Sequence, residues 1–319
     1  MYGAMANLGY VQVTRECNQR CRFCSNPPIE RKQTLEQARA QIRDLKCRGY
    51  HGVILTGGEP TMASFLPDAI EAAIEEGIEP RVITNGQLLS ERRRVEQLRR
   101  RGLRHVHVSI HSCRADIQDD LTRNPGSLGR IVACLENLMS EEMTADINTV
   151  ICAQNSDHLD ETVGWFLESF PFVRHFVFNN IDPEMNRCAQ NPRVIPRLGD
   201  FELSLHRALR KLAAADRTFR VERVPLCYMV EFAEFSTETR KIVKGEQRVV
   251  HFLDEHKGTV CQTEWRHGKA EVCTSCRLDS ICAGLYAMGA HFDPAELHAV
   301  FVDPTEIELR VTASSGTNP

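Results

Sequence analysis

Three cysteines crowd into eight residues near the amino end, Cys17, Cys21 and Cys24, in the spacing C-x3-C-x2-C. On a loop that follows a strand, three thiolates so spaced can converge on one point. A disulfide would use two and strand the third. A structural zinc wants four ligands, and the next candidates, Cys47 and His51, lie beyond a helix-like segment. What remains is a metal centre with one open position. A 4Fe–4S cluster takes four ligands, so three cysteines would leave one iron available for something else. A zinc site completed from a distance is the alternative.

A second group sits near the carboxyl end: Cys273-x2-Cys276-x5-Cys282, followed by Ala283-Gly284-Leu285-Tyr286. Three of its ligands are local, and a fourth must come from upstream, from Cys227 or from Cys261. A zinc knuckle that only stabilises its segment is the alternative reading. The chain has 13 cysteines, and in a reducing compartment clustered cysteines point to metal. Cys47 and Cys134 fall in helix-like segments and read as core residues. Cys113, Cys152 and Cys188 fall at or beyond strand ends and receive no role.

Between the cysteine groups lies Thr56-Gly57-Gly58-Glu59-Pro60. Its glycines allow the backbone to approach a ligand closely, and Glu59 offers an acceptor for an ammonium group. Thr84-Asn85-Gly86 ends another strand-like run. Ser109 and Asn148 are polar residues in otherwise apolar strands, and His105 and His107 read as packed or hydrogen-bonded interior groups.

Alternating strands and helices must position these residues. Strands are predicted at Leu8–Thr14, Val53–Thr56, Arg81–Thr84, His105–Ile110, Ala145–Cys152 and His175–Asn179. Helices are predicted at Thr34–Arg48, Ser64–Glu76, Glu91–Arg101, Leu128–Ser140, Leu159–Ser169 and Phe201–Ala215. Thr34 with Gln37 makes a capping box. The repeat argues for parallel strands joined by helical crossovers, an α/β fold whose function collects at the C-terminal strand ends. The stretch 183–200 breaks the rhythm and reads as a long connection. From about Val221 the rhythm is lost, and Ala313–Pro319 is small and polar enough to be disordered. Ser236–Lys241 is polar and has no assignment.

The bulk numbers exclude several classes. Apolar residues make up 42% of 319 and charged ones 26%, enough for a sizeable core. A net charge of −4 gives no electrostatic case for nucleic acid. Arg92–Arg94 and Arg99–Arg101, interleaved with Glu91 and Glu96, read as a solvated helix face. No run of 18 apolar residues suits a membrane span, and residues 1–7 lack the pattern of a secretion signal. A cytoplasmic location is expected.

Cys17-x3-Cys21-x-Phe23-Cys24, with its aromatic residue before the third cysteine, resembles the motif of the radical S-adenosylmethionine (SAM) superfamily. Gly57-Gly58-Glu59-Pro60 after the second strand matches the segment that holds the SAM amino group in that family. Asn85, Ser109 and Asn148 fall where relatives contact SAM. The resemblance implies a partial (β/α)6 TIM-like barrel over residues 1–220. It also implies a 4Fe–4S cluster on Cys17, Cys21 and Cys24, and SAM chelated at the open iron. One-electron reduction would then yield methionine and a 5′-deoxyadenosyl radical. The second cysteine group resembles the SPASM/twitch extensions, which places such an extension over residues 221–319. The SPASM pattern has a further cysteine where this chain has Tyr286, so one auxiliary 4Fe–4S cluster is expected, on Cys273, Cys276, Cys282 and Cys227. Cys261 would then be a spare thiol, a hydrogen-atom donor as in some radical epimerases, a ligand, or simply buried. The substrate class implied is a peptide or protein, with an external electron donor such as a flavodoxin or ferredoxin. Dehydrogenation or epimerisation of a sugar-like compound is the alternative. A non-catalytic iron–sulfur electron carrier is the reading from another class.

Overall fold

The structure is a computed structural model and describes residues 8–26, 29–184, 186–254 and 256–313. The tail expected to be disordered lies, past Ala313, outside them. In chain order the elements are β1 (Leu8–Thr14), α1 (Leu35–Cys47), β2 (Gly52–Gly57), α2 (Leu66–Glu75), β3 (Glu79–Thr84), α3 (Arg92–Arg100), β4 (His105–Ser109), α4 (Ala115–Thr122), α5 (Ser127–Ser140), β5 (Thr144–Ile151), α6 (Leu159–Ser169), β6 (His175–Asn180), α7 (Asn186–Gln190), α8 (Leu198–Ala214), β7 (Thr218–Glu222), α9 (Thr237–Lys244), β8 (Arg248–His251), β9 (Thr259–Gln262) and α10 (Pro304–Ala313). The strands form one nine-stranded sheet in the order β7-β6-β5-β4-β3-β2-β1-β8-β9. All neighbours are parallel except the β8–β9 hairpin.

Strand residues alternate between two environments, as the period of two requires. Val11, Val53, Leu55, Val82, Val106, Ile147, Phe176 and Phe219 are buried on the outer face, under the helices. Each such side chain contributes about 1.5–3 kcal/mol. The alternate residues line a central cavity, described below. The six expected strands are all present, and so are the six expected helices, with ends moved by no more than three residues. The Thr34 capping box is formed, with Gln37 N–H donating to Thr34 and Thr34 N–H donating to Gln37.

The differences lie where local pattern is weak. Strand pairing runs through residue 220: β7 extends the sheet beyond β6, and the β8–β9 hairpin extends it beyond β1. The hairpin's strands are four residues each, too short to show alternation. The Tyr50 hydroxyl accepts from Val249 N–H at 2.8 Å and fixes β8 against the α1–β2 turn. The 183–200 connection contains α7 and the start of α8. The unassigned Ser236–Lys241 stretch is the N-cap and first turns of α9, with the Ser236 hydroxyl accepting from Thr239 N–H. On α3, Arg92, Arg94 and Arg100 pair with Glu96, Glu141 and Glu91 at the surface, where such pairs contribute about 0–1 kcal/mol. Among the described residues, no helix is long and apolar enough to cross a membrane.

Candidate functional site

The two glycines of Gly57-Gly58 serve a contact between chain segments. Gly58 N–H donates to Thr14 O and Glu59 N–H to Glu16 O, each at 2.7 Å. The end of β2 is thereby zipped onto the residues just before Cys17. A Cβ at Gly57 would sit 2.0 Å from Thr14 O, and one at Gly58 2.3 Å from Glu16 O. Gly57 also has φ +144°, a conformation that side chains disfavour.

Glu59 is buried and takes its partners from the chain itself. Its Oε1 accepts from Thr61 N–H at 3.1 Å, the Thr61 hydroxyl at 2.5 Å and the Thr84 hydroxyl at 2.7 Å. Its Oε2 accepts from Asn85 N–H at 2.7 Å. Burial nonetheless pushes its pKa upward, and those four donors oppose the shift. These bonds tie β2 to the end of β3. Pro60 opens a short 3-10 turn that Glu59 caps.

The cysteine loop is anchored on three further sides. Arg22 N–H donates to Leu121 O at 2.9 Å, and its guanidinium pairs with Asp120 at 2.6 Å. Gln19 reaches the Ser127 hydroxyl at 3.2 Å. Arg187 Nε donates to Cys21 O at 2.9 Å. Neither α4 nor Arg187 carried a signal in the sequence, because their role is visible only once the loop is folded. Burial raises the Cys21 pKa, the thiols of Cys24 and Cys17 raise it further, and Arg187 opposes them. Thiols at Cys17 and Cys21 whose ionisation is disfavoured suit a bound cation, which inverts that balance.

The remaining candidates follow strand by strand. Asn85 Nδ2 donates to Asn18 Oδ1 at 2.7 Å, beside Cys17. Ser109 ends β4 and pairs in register with Asn148 on β5. Asn148 Oδ1 accepts from Asn179 Nδ2 at 2.5 Å. Phe23 packs edge-on against His111, with ring centres 4.5 Å apart. All of these lie at or near the C-terminal strand ends, on the side of the cysteine loop.

Cys227, Cys273, Cys276 and Cys282 line one narrow cavity. Gly284 N–H donates to Cys282 Sγ and Val300 N–H to Cys276 Sγ, both at 3.3 Å. Burial pushes the Cys227 thiol up to about 12, with Cys282 and Cys273 adding to it and the His298 backbone opposing. Sulfurs around one zinc ion stand about 3.8 Å apart, given a Zn–S bond of about 2.3 Å. Among the described residues, the group whose three ligand atoms all lie within 4.8 Å of one another is His105, His107 and Asp146. Tyr286 is not a ligand; its hydroxyl donates to Glu184 at 3.2 Å in the loop after β6.

Cys261 belongs to neither set, which corrects its expected place beside the substrate. It lies exposed on β9 opposite Val249, with its Sγ 3.6 Å from Gln247 Oε1. Arg48 and Tyr50, near the N-terminal end of β2, are the groups whose charge it influences. A thiol there is out of reach of a radical formed at the strand C-termini.

The barrel interior is a cavity of about 550 Å³, lined among others by Arg81, His107, Asp146, Arg220, Glu222 and Arg248. From α9, Lys241 places its ammonium 3.8 Å from the Trp265 ring centre. Burial holds His107 down to about 3 and His175 down to about 4.

Residues 11–166 match the model of the radical SAM superfamily. A GTP 3′,8-cyclase from Clostridium perfringens is 27% identical over 177 residues, 53% of this chain and 54% of that protein. The chain spans about half the length of the curated relatives it matches. Among solved structures, Streptococcus suis SuiB bound to S-adenosylmethionine superposes with a TM-score of 0.66 at 16% identity, over 88% of this chain and 73% of SuiB. Native anSMEcpe with bound AdoMet gives 0.64 at 14% identity, over 96% of this chain and 95% of that one. The fold is thus shared with partial-barrel enzymes crystallised with SAM. The motif loop, the zipped Gly-Gly-Glu segment and the family match agree: residues 11–166 of this chain are a radical SAM domain.

Proposed function

We propose that the chain is a SAM-cleaving enzyme that modifies a peptide or protein. Cys17, Cys21 and Cys24 would hold a 4Fe–4S cluster, and SAM would bind beside it at the strand ends carrying Gly57–Pro60, Asn85, Ser109 and Asn148. The chemistry that cluster and SAM would supply there is one-electron reductive cleavage of the sulfonium C–S bond, which would lead to hydrogen abstraction from the substrate. The observation that carries this reading is the backbone zipper from Gly58 and Glu59 to Thr14 and Glu16. It sets the cluster loop and the proposed SAM segment in fixed register, which an electron carrier has no need of.

The chain's own side chains do the positioning. Glu59 locks the ends of β2 and β3, Arg187 holds the Cys21 carbonyl, and the Asn148–Asn179 pair presents amides at the strand ends. Cys227, Cys273, Cys276 and Cys282 would hold one auxiliary cluster with all four corners taken. That suits electron relay after hydrogen abstraction rather than direct ligation of substrate. The segment 221–319 is read as a SPASM/twitch-like unit on this ground.

A peptide substrate is supported by the solved neighbours: SuiB has been crystallised with the precursor peptide SuiA, and anSMEcpe with the Cp18Cys peptide. The polar cavity of about 550 Å³ favours the second reading, oxidation or epimerisation of a sugar-like small molecule. An external one-electron donor of the flavodoxin or ferredoxin kind is required in both. The test is anaerobic incubation of reduced protein with SAM, assayed for 5′-deoxyadenosine, then repeated with deuterium-labelled peptides or cyclitols. Deuterium arriving in 5′-deoxyadenosine from a peptide supports the first reading, and from a cyclitol the second. No 5′-deoxyadenosine from protein with intact clusters, under several reductants, would return the chain to the electron-carrier class.

A further inference from the structure

The barrel interior holds a cluster that SAM cleavage does not use. His105 and His107 come from β4, two residues apart, and their rings stack with centres 4.9 Å apart. Asp146, on β5, bridges them: its Oδ2 is 2.7 Å from His105 Nε2 and 3.3 Å from His107 Nδ1. One carboxylate oxygen committed to two imidazoles leaves His107 half satisfied. Its other nitrogen, Nε2, is shut off from solvent with no hydrogen-bond partner. That nitrogen is not the one turned to Asp146, and shut off in this way it calls for a water of its own.

Support stands behind the cluster as well. His105 Nδ1 faces Glu79 Oε1 at 3.8 Å, and Glu79 is held by Arg81 through Nε at 2.9 Å and Nη2 at 3.3 Å. A carboxylate hydrogen-bonded to the outer nitrogen of an imidazole orients histidine ligands, and Glu79 would have to close from 3.8 Å to make that bond.

We propose that His105, His107 and Asp146 form a mononuclear divalent transition-metal site inside the barrel, distinct from both cysteine sets. All three ligand atoms lie within 4.8 Å of one another. Donors about 2.1 Å from a common ion stand roughly 3.0–3.4 Å apart, and the observed N···O separations of 2.7 and 3.3 Å need only small adjustment to reach that range. Two imidazoles and one carboxylate suit zinc, or iron(II) with open positions. His107 and Asp146 also line the central cavity, so the ion's remaining positions would face whatever polar molecule enters it.

Zinc is the probe. Protein reconstituted anaerobically with its clusters, so that the cysteines are occupied, is dialysed against Zn²⁺, and zinc and iron are counted together. The wild type is expected to hold one more zinc per chain than His107→Gln at equal iron content. Glu79→Gln, which leaves the ligands in place, is expected to weaken zinc binding by about 10- to 100-fold. Should His107→Gln fail to fold, zinc K-edge absorption of the wild type decides alone. A shell of nitrogen and oxygen at about 2.0–2.1 Å is expected, and sulfur at about 2.3 Å would mean a cysteine site. Equal zinc in wild type and variant, no bound zinc, or a sulfur shell would each overturn the proposal and leave the cluster as a hydrogen-bonded core element.

Discussion

Gly58→Ala isolates the contact on which the proposed SAM site depends. The added Cβ would sit 2.3 Å from Glu16 O and 2.6 Å from Arg15 O, both backbone atoms that no rotamer change can move. Carbon–oxygen contacts settle at about 3.3 Å, so the two segments must part by about 1 Å. That stretches two backbone hydrogen bonds, each now 2.7 Å, past useful length. Their loss at about 1 kcal/mol each, with the strain of the moved loop, gives about 2–4 kcal/mol. A 1 Å error between cluster loop and SAM segment is expected to slow cleavage by about 10²-fold. The assay is 5′-deoxyadenosine formation, read beside iron content and the change in the reduced-cluster EPR signal on adding SAM. The variant is expected to keep its auxiliary iron while losing the SAM response. A Gly58→Ala protein with wild-type rate and wild-type EPR response would refute the reasoning, because the zipper would then have no part in the site.

Three other outcomes follow from the same geometry. Cys227→Ser is expected to lower iron from about eight to about four atoms per chain, and Cys261→Ser to leave it unchanged; chemical iron analysis after reconstitution separates the two. Arg187→Met removes the one positive group found to offset the ionisation of Cys17 and Cys21. It should lower the reduction potential of that cluster by tens of mV, measured by EPR-monitored titration, because reduction adds negative charge there. His111 Nδ1 accepts from Val150 N–H at 3.2 Å, and burial holds its pKa down to about 3. The unfolded chain therefore binds a proton that the folded one does not, between about pH 6.5 and 3. Stability should fall as pH drops through that window, by up to about 1.4 kcal/mol per unit, and the thermal midpoint of His111→Gln should fall less steeply.

Much of the site was legible because its chemistry is local. Cys17, Cys21 and Cys24 share a single loop, and Gly57–Pro60 follows a strand whose apolar run is plain. The strands up to Ser169, and the helices there other than α4, could be read for the same reason: alternation of Val and Ile, and a capping pair at Thr34 and Gln37, act within a few residues. What stayed hidden depends on tertiary closure. Cys227 was preferred to Cys261 only by resemblance, and it is the fold that puts Cys227 against Cys273, Cys276 and Cys282 and carries Cys261 to the far end of the sheet. The partners that hold Glu59 were hidden as well, because nothing in the sequence says that Thr61, Thr84 and Asn85 will surround it. The β8–β9 hairpin was missed because its four-residue strands owe their place to β1 and Tyr50. His105 and His107 were read as interior groups, but Asp146 lies on a different strand, so their common partner was invisible.

The most direct test labels the proposed ligand itself. Reduced protein is frozen with SAM carrying ¹⁵N in its amino group and ¹⁷O in its carboxylate, and examined by electron–nuclear double resonance. Hyperfine coupling from both labels to the cluster is expected, disappearing when Cys17, Cys21 and Cys24 are replaced by serine while the auxiliary signal persists. A cluster signal with no coupling to either label, in protein that retains its iron, would contradict the claim that these thiolates leave one iron open to SAM.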